Sequence, residues 1–206
     1  MIVIIDYGMG NLRSVEKACE FLGKKAKVSD SVSIIKRAKK IIFPGVGNFG
    51  EAVKELRKRK IFNTLIQTAK SGVPFFGICV GMQLLLEESE ESPGVKGLGL
   101  LKGKVKKFNA KNMIVPHMGW NQVVVHGSGN RAQGGLFKGI KAESYFYFAH
   151  SYYCDIKERK NVLATTKYGA QFASACNKQN VWGVQFHPEK SQKLGLKLFS
   201  NFLNLC

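Results

Sequence analysis

VPFFGICVGMQLLLEES, residues 73–89, sets one sulfur between two glycines, with an apolar aromatic run on one side and a leucine-rich run on the other. The stretch from Val73 to Cys79 reads as a strand buried on both faces, and VGMQLLLEES reads as a helix that starts at once. Strand, Gly77-x-Cys79-x-Gly81, helix is the cysteine form of a nucleophile elbow. A sharp turn of this kind lifts the central side chain above the carboxyl edge of the sheet. The flanking glycines are required because a Cβ at either position would collide across the turn. Backbone N–H groups at the start of the helix then face the sulfur and favour its thiolate. Free cysteine is also among the most buried residue types, so Cys79 reads equally as a small core residue. Taken alone, the elbow leaves both readings standing.

The rest of the chain supplies the context that this turn needs. MIVIID, ended by YGMGN, reads as a buried strand feeding a turn, with Asn11 placed to cap LRSVEKACEFLG and Gly23 to end that helix. KKIIF at 39–43 is a second strand closed by PGVGNFG, and a helical stretch over 49–71 has a break near Lys60. Strands alternating with helices of this length predict a largely parallel sheet covered on both faces. After Gly94 come short alternating segments (KGKVKKF, NQVVV, SYFYFAHSYY, VLATT, FASAC, NVWGVQF) that predict further strands, some antiparallel. QKLGLKLFSNFLNL closes the chain as an amphipathic helix. The expected fold class is α/β, in a single domain over 1–206, with no linker long enough to divide it.

Composition bounds the function classes. The 206 residues carry 32 basic and 14 acidic side chains, a formal charge of +18. The lysines are scattered, and the one dense run, KELRKRK at 54–60, reads as a solvated helix face; a nucleic-acid binder would cluster its basic residues. Five dispersed cysteines show no CxxC pair and no metal-ligand spacing, which fits a reducing cytoplasm and predicts neither metal nor cofactor. The N-terminus lacks a signal-peptide pattern. The longest apolar stretch, Val73 to Leu86, is broken by glycines, Pro74 and Gln83 and is too short to span a bilayer, so no membrane association is expected.

Two further segments favour the reactive reading of Cys79. VWGVQFHPEKS sets His187 and Glu189 two residues apart after a strand. Residues i and i+2 of an extended segment point the same way, and Pro188 biases His187 toward that conformation. Glu189 then orients the imidazole, and an acid, a histidine and a sulfur make the triad arrangement in its cysteine form. PGVG at 44–47 closes a parallel strand at the same carboxyl edge, where a backbone amide at Val46 or Gly47, paired with that of Val80, would form an oxyanion hole. By itself, such a loop is most often only a turn.

GICVGMQ, HPEKS and PGVGNFG together resemble the class I glutamine amidotransferases, which use Cys, His and Glu to release ammonia from glutamine. DYGMGNLRSV at 6–15, PHMGWNQV at 116–123 and YFYFAHSYY at 145–153 narrow the resemblance to the glutaminase subunits of imidazole glycerol phosphate synthases. The resemblance runs from Met1 to the last helix. It implies Cys79 as nucleophile, His187 as base and Glu189 as its orienter. It further implies that Gly45, Gln83 and the Ser151–Tyr152 backbone hold L-glutamine. The implied partner is a (β/α)8-barrel synthase, facing Asn11, Met118, Trp120 and Asn121. The family usually has leucine where this chain has Val80, a position where only the backbone N–H is needed. Rival readings are a paralogous subunit serving amidino-sugar or surface-polysaccharide synthesis, a cysteine peptidase on a similar fold, and a basic nucleic-acid-binding protein.

Overall fold

The computed structural model describes residues 1–109, 113–126 and 135–204. Its parallel strands are β1 (Ile2–Ile5), β2 (Ala26–Ser29), β3 (Lys40–Gly45), β4 (Phe75–Cys79) and β12 (Val181–Val184), in spatial order β2-β1-β3-β4-β12. The sheet continues antiparallel through β11 (Ala170–Lys178), β10 (Val162–Tyr168), β7 (His117–Val125) and β8 (Ser144–His150). A side branch holds β5 (Glu88–Ser89), β6 (Gly103–Lys107) and β9 (Tyr152–Ile156), joined to the main path through β9 and β11. The expected α/β sheet is thus mixed, with its parallel block running from β2 to β12.

Strand order explains how the helices divide. The chain steps from β1 outward to β2, then returns to the other side of β1 for β3 and β4. With right-handed crossovers, that reversal sends the first helix to one face and those that follow to the other. Accordingly α1 (Leu12–Phe21) meets the last helix, α6 (Gln192–Asn204), whereas α2 (Val32–Lys36) and α3 (Phe49–Lys58) meet α4 (Phe62–Lys70). Phe75 and Phe76 of β4 point to opposite faces and are both fully buried. Phe75 lies edge-on to Phe43 at 5.6 Å, and Phe76 stacks on Phe202 of α6 at 4.8 Å. The break foreseen near Lys60 is a left-handed residue, φ 59°, between α3 and α4.

Four local expectations change. The helix after Cys79 is a single turn, α5 (Val80–Gln83). It stops because Leu98, Leu101 and Gly99 donate backbone hydrogen bonds to the carbonyls of Leu84, Leu85 and Leu86, the acceptors that further helical turns need. β2 (Ala26–Ser29) has no apolar run to announce it, being a half-exposed edge strand. Asn11 makes no side-chain cap on α1, although its carbonyl accepts from Val15 N–H. Pro188–Lys190 forms a 3-10 turn, so His187 and Glu189 come together across a turn, with His187 alone extended at φ −100°, ψ 93°. Cys206 lies outside the described residues, and the four described cysteines are free and buried.

Candidate active site

Cys79 ends β4 with φ 54° and ψ −111°, a conformation that L-residues rarely adopt. The two glycines make it possible. A Cβ on Gly77 would sit 2.6 Å from the Gly81 carbonyl oxygen, and one on Gly81 would overlap the Phe43 carbonyl oxygen of β3. Gly45 pairs in register with Cys79 across β3 and β4, and a Cβ there would run into the Tyr7 hydroxyl. The glycines are therefore imposed by the close approach of β3, β4 and α5. The turn they allow presents the sulfur at the carboxyl edge of the parallel block, where α/β sheets take their ligands.

His187 reaches this sulfur from the end of β12, the neighbour of β4. Its backbone N–H donates to Tyr147 O at 2.8 Å, and Ser191 Oγ donates to its carbonyl at 2.7 Å while accepting from Tyr147 N–H at 3.0 Å. The imidazole Nδ1 lies 2.7 Å from Glu189 Oε1, with both side chains almost fully buried. Nε2 is thus left free of Glu189, in the cleft that His187 and Cys79 both line. Burial pulls the His187 pKa down, but the hydrogen bonds and charges of Cys79 and Glu189 outweigh it and push it up to about 10. A thiolate beside a retained imidazolium is the chemistry that such a pair supports.

A cleft of about 290 Å³ opens over the sulfur, lined by Val46, Gly47, Val80, Gln83, Ser151 and Tyr152, with His150, Met118 and Lys190 at its sides. This gathers most of the residues expected from the sequence. Gly45 does not line it; the residue is buried beneath the loop and its role is clearance. Asn11 stands outside too, although its turn flanks the same loop: a Cβ on Gly47 would sit 2.9 Å from Met9 Cε. Met118 and Trp120 are exposed, at 64% and 47%. Asn121 lies on the other side of β7, where Nδ2 contacts His117 Nε2 at 3.1 Å and donates to Lys167 O at 3.2 Å. A larger cleft of about 420 Å³, lined by His126, Asp155, Arg159 and Gln171, shares no residue with this one.

Gln185, which no motif in the sequence marks, is fully buried beside the sulfur, with Nε2 donating to Cys79 Sγ at 3.7 Å. Gln83 Nε2 donates to Gln185 Oε1 at 3.3 Å and to Tyr152 O at 2.9 Å. The available signal was period two: Gln185 precedes His187 by two residues, on the same face at the end of β12.

Residues 3–205 match the family of class-I glutamine amidotransferases. The chain is 48% identical over 209 residues to the imidazole glycerol phosphate synthase subunit HisH 1 of Methanococcus maripaludis, covering 100% of both. It is 50% identical over 202 residues to the HisH subunit of Desulfitobacterium hafniense strain Y51, covering 98% of this chain and 93% of that one. A crystal structure of a glutamine amidotransferase superposes with a TM-score of 0.76 over 100% of this chain and 98% of that one; at 23% identity this speaks for the fold alone. The chain belongs to the class-I glutamine amidotransferase family.

Proposed function

We propose that this chain hydrolyses the side-chain amide of L-glutamine and passes the ammonia to a separate (β/α)8-barrel synthase that makes imidazole glycerol phosphate. The observation that carries the reading is that Cys79 and His187 line one cleft with Gln83 and Tyr152, the imidazole being held from behind by the buried Glu189 carboxylate at 2.7 Å. Full-length identity near 48% to subunits named for imidazole glycerol phosphate synthase supports the choice of synthase.

In this reaction the Cys79 thiolate attacks the amide carbon, and backbone amides at Val46 or Gly47 and at Val80 receive the oxyanion. His187, as imidazolium, gives its Nε2 proton to the departing nitrogen, since amide ion is too poor a leaving group to go unaided. Ammonia leaves and a γ-glutamyl thioester remains. The raised pKa of His187 owes part of its elevation to Cys79. Forming the thioester removes the thiolate charge, so the imidazolium becomes a stronger acid and the ring, having given up its proton, stays neutral. It then takes a proton from water, hydroxide attacks the thioester, and collapse releases glutamate and restores the thiolate–imidazolium pair. Gln83 with the Ser151 and Tyr152 backbone holds the amino-acid end of glutamine.

The synthase would dock on the outward face of the β7–β8 hairpin. Met118 and Trp120 lie on one side of β7, and Tyr145 and Tyr147 oppose Gln122 and Trp120 on β8, giving an exposed aromatic patch of the kind found in interface cores. Met118 belongs both to this patch and to the cleft, so ammonia leaving the sulfur emerges beside the docking face. Among the described residues no helix is long and apolar enough to cross a membrane. We place the protein in the cytoplasm, where its free thiols stay reduced. The test is co-expression with the barrel synthase of the same organism. Glutamate release is expected from the complex and should increase with the acceptor nucleotide; a complex that leaves glutamine intact would overturn the reading.

A further inference from the structure

Two buried histidines that the proposed chemistry does not use form a hydrogen-bonded chain ending in the glutamine cleft. His150 Nδ1 lies 2.8 Å from Tyr152 O, His150 Nε2 lies 2.9 Å from His117 Nδ1, and His117 Nε2 lies 3.1 Å from Asn121 Nδ2. Aromatic rings wall the chain. His117 is sandwiched by Tyr168 at 3.9 Å and Phe148 at 4.8 Å, while Phe108 and Phe172 press on His150 at 5.3 Å and 5.2 Å. Burial pushes His117 down to about 4, and burial first of all pushes His150 down to about 3, so both rings are neutral near pH 7.

A neutral imidazole has one donor and one acceptor, which leaves no freedom in this chain. The Tyr152 carbonyl can only accept, so His150 carries its proton on Nδ1 and offers a lone pair at Nε2. His117 must then donate from Nδ1, which leaves its own Nε2 as an acceptor for the Asn121 amide. Asn121 is itself locked, since Oδ1 accepts from Gln122 N–H at 2.7 Å and Nδ2 also donates to Lys167 O. At the inner end, Gln83 Nε2 donates to the same Tyr152 carbonyl and to Gln185, which reaches the Cys79 sulfur.

We propose that Asn121, His117 and His150 are positioning residues for glutamine, a polarised chain that fixes the Tyr152 carbonyl and the Gln83 side chain at the edge of the cleft. This gives Asn121 an inward task in place of the partner contact expected from its motif, and it rests on the glutaminase reading only for its kinetic consequence.

The first test is ring 15N NMR of the full chain. Both His117 and His150 should be neutral and protonated on Nδ1 at pH 7; an Nε2-protonated or charged form of either would overturn the proposal whatever the protein's activity. The second is glutamine kinetics in complex with the synthase. Asn121→Asp keeps size and shape but replaces the donor with an acceptor, setting the chain against the Tyr152 carbonyl. KM should rise about tenfold, with kcat changing less, as expected for loss of about one net hydrogen bond. His150→Leu should do the same, and His150→Gln, which retains a donor and an acceptor, should recover most of the loss. Unchanged KM in Asn121→Asp, or His150→Gln as impaired as His150→Leu, would overturn the proposal. A wild-type complex that does not hydrolyse glutamine would count against the glutaminase reading, while the tautomers would still decide the chain.

Discussion

His187 Nδ1 and Glu189 Oε1 lie 2.7 Å apart, both side chains almost fully withdrawn from water, and the second oxygen of Glu189 has no hydrogen-bond partner among the described residues. The carboxylate is therefore committed to the imidazole. It fixes which ring nitrogen faces Cys79, and its charge helps to hold the ring protonated.

Glu189→Gln keeps the shape and removes the charge. The imidazolium loses one of its two stabilising partners, so kcat for glutamine hydrolysis should fall about a hundredfold, at the low end of general acid–base contributions. KM should change little, because Glu189 does not line the cleft. Steady-state kinetics of the complex check both.

Stability should vary with pH on both sides of about 6.5. His187 has its pKa raised to about 10 from an ordinary 6.5, so its contribution is fully present below pH 6.5 and is lost as pH rises toward 10. His117 and His150 are depressed to about 4 and about 3, so the unfolded chain binds protons first and stability falls as pH drops below 6.5. Thermal melts from pH 4 to 10 should give a maximum near the middle. Substituting His187→Gln should flatten the alkaline limb alone.

Trp120 is half exposed and meets Tyr147 edge-on at 6.2 Å, so the isolated fold depends on it little. Trp120→Ala should leave the melting temperature of the isolated chain nearly unchanged. It should weaken synthase binding by about 2 kcal/mol, roughly thirtyfold in Kd, as for a central aromatic of an interface. Calorimetric titration reads the second effect.

The sequence carried the parts of this site that local sterics dictate. Gly77 and Gly81 are demanded by the turn itself, and His187 and Glu189 are brought together by a proline-led turn that a five-residue motif contains. The single turn of α5 was not legible, because the loop that takes the Leu84–Leu86 carbonyls lies more than ten residues away. His117 and His150 become partners only through the β7–β8 register, which pairs them directly. Gln185 looks like any strand residue until β12 settles beside β4. The resemblance groups Asn121 with Met118 and Trp120 as facing the partner, whereas strand alternation puts it on the other side of β7, against His117.

The central claim is that Cys79 attacks glutamine, and its most direct test is intact-mass spectrometry of the complex quenched in acid during turnover. A single γ-glutamyl adduct that maps to Cys79 and disappears in Cys79→Ala is the predicted result. Glutamate release that continues in Cys79→Ala, or an adduct mapping to another residue, would contradict the account.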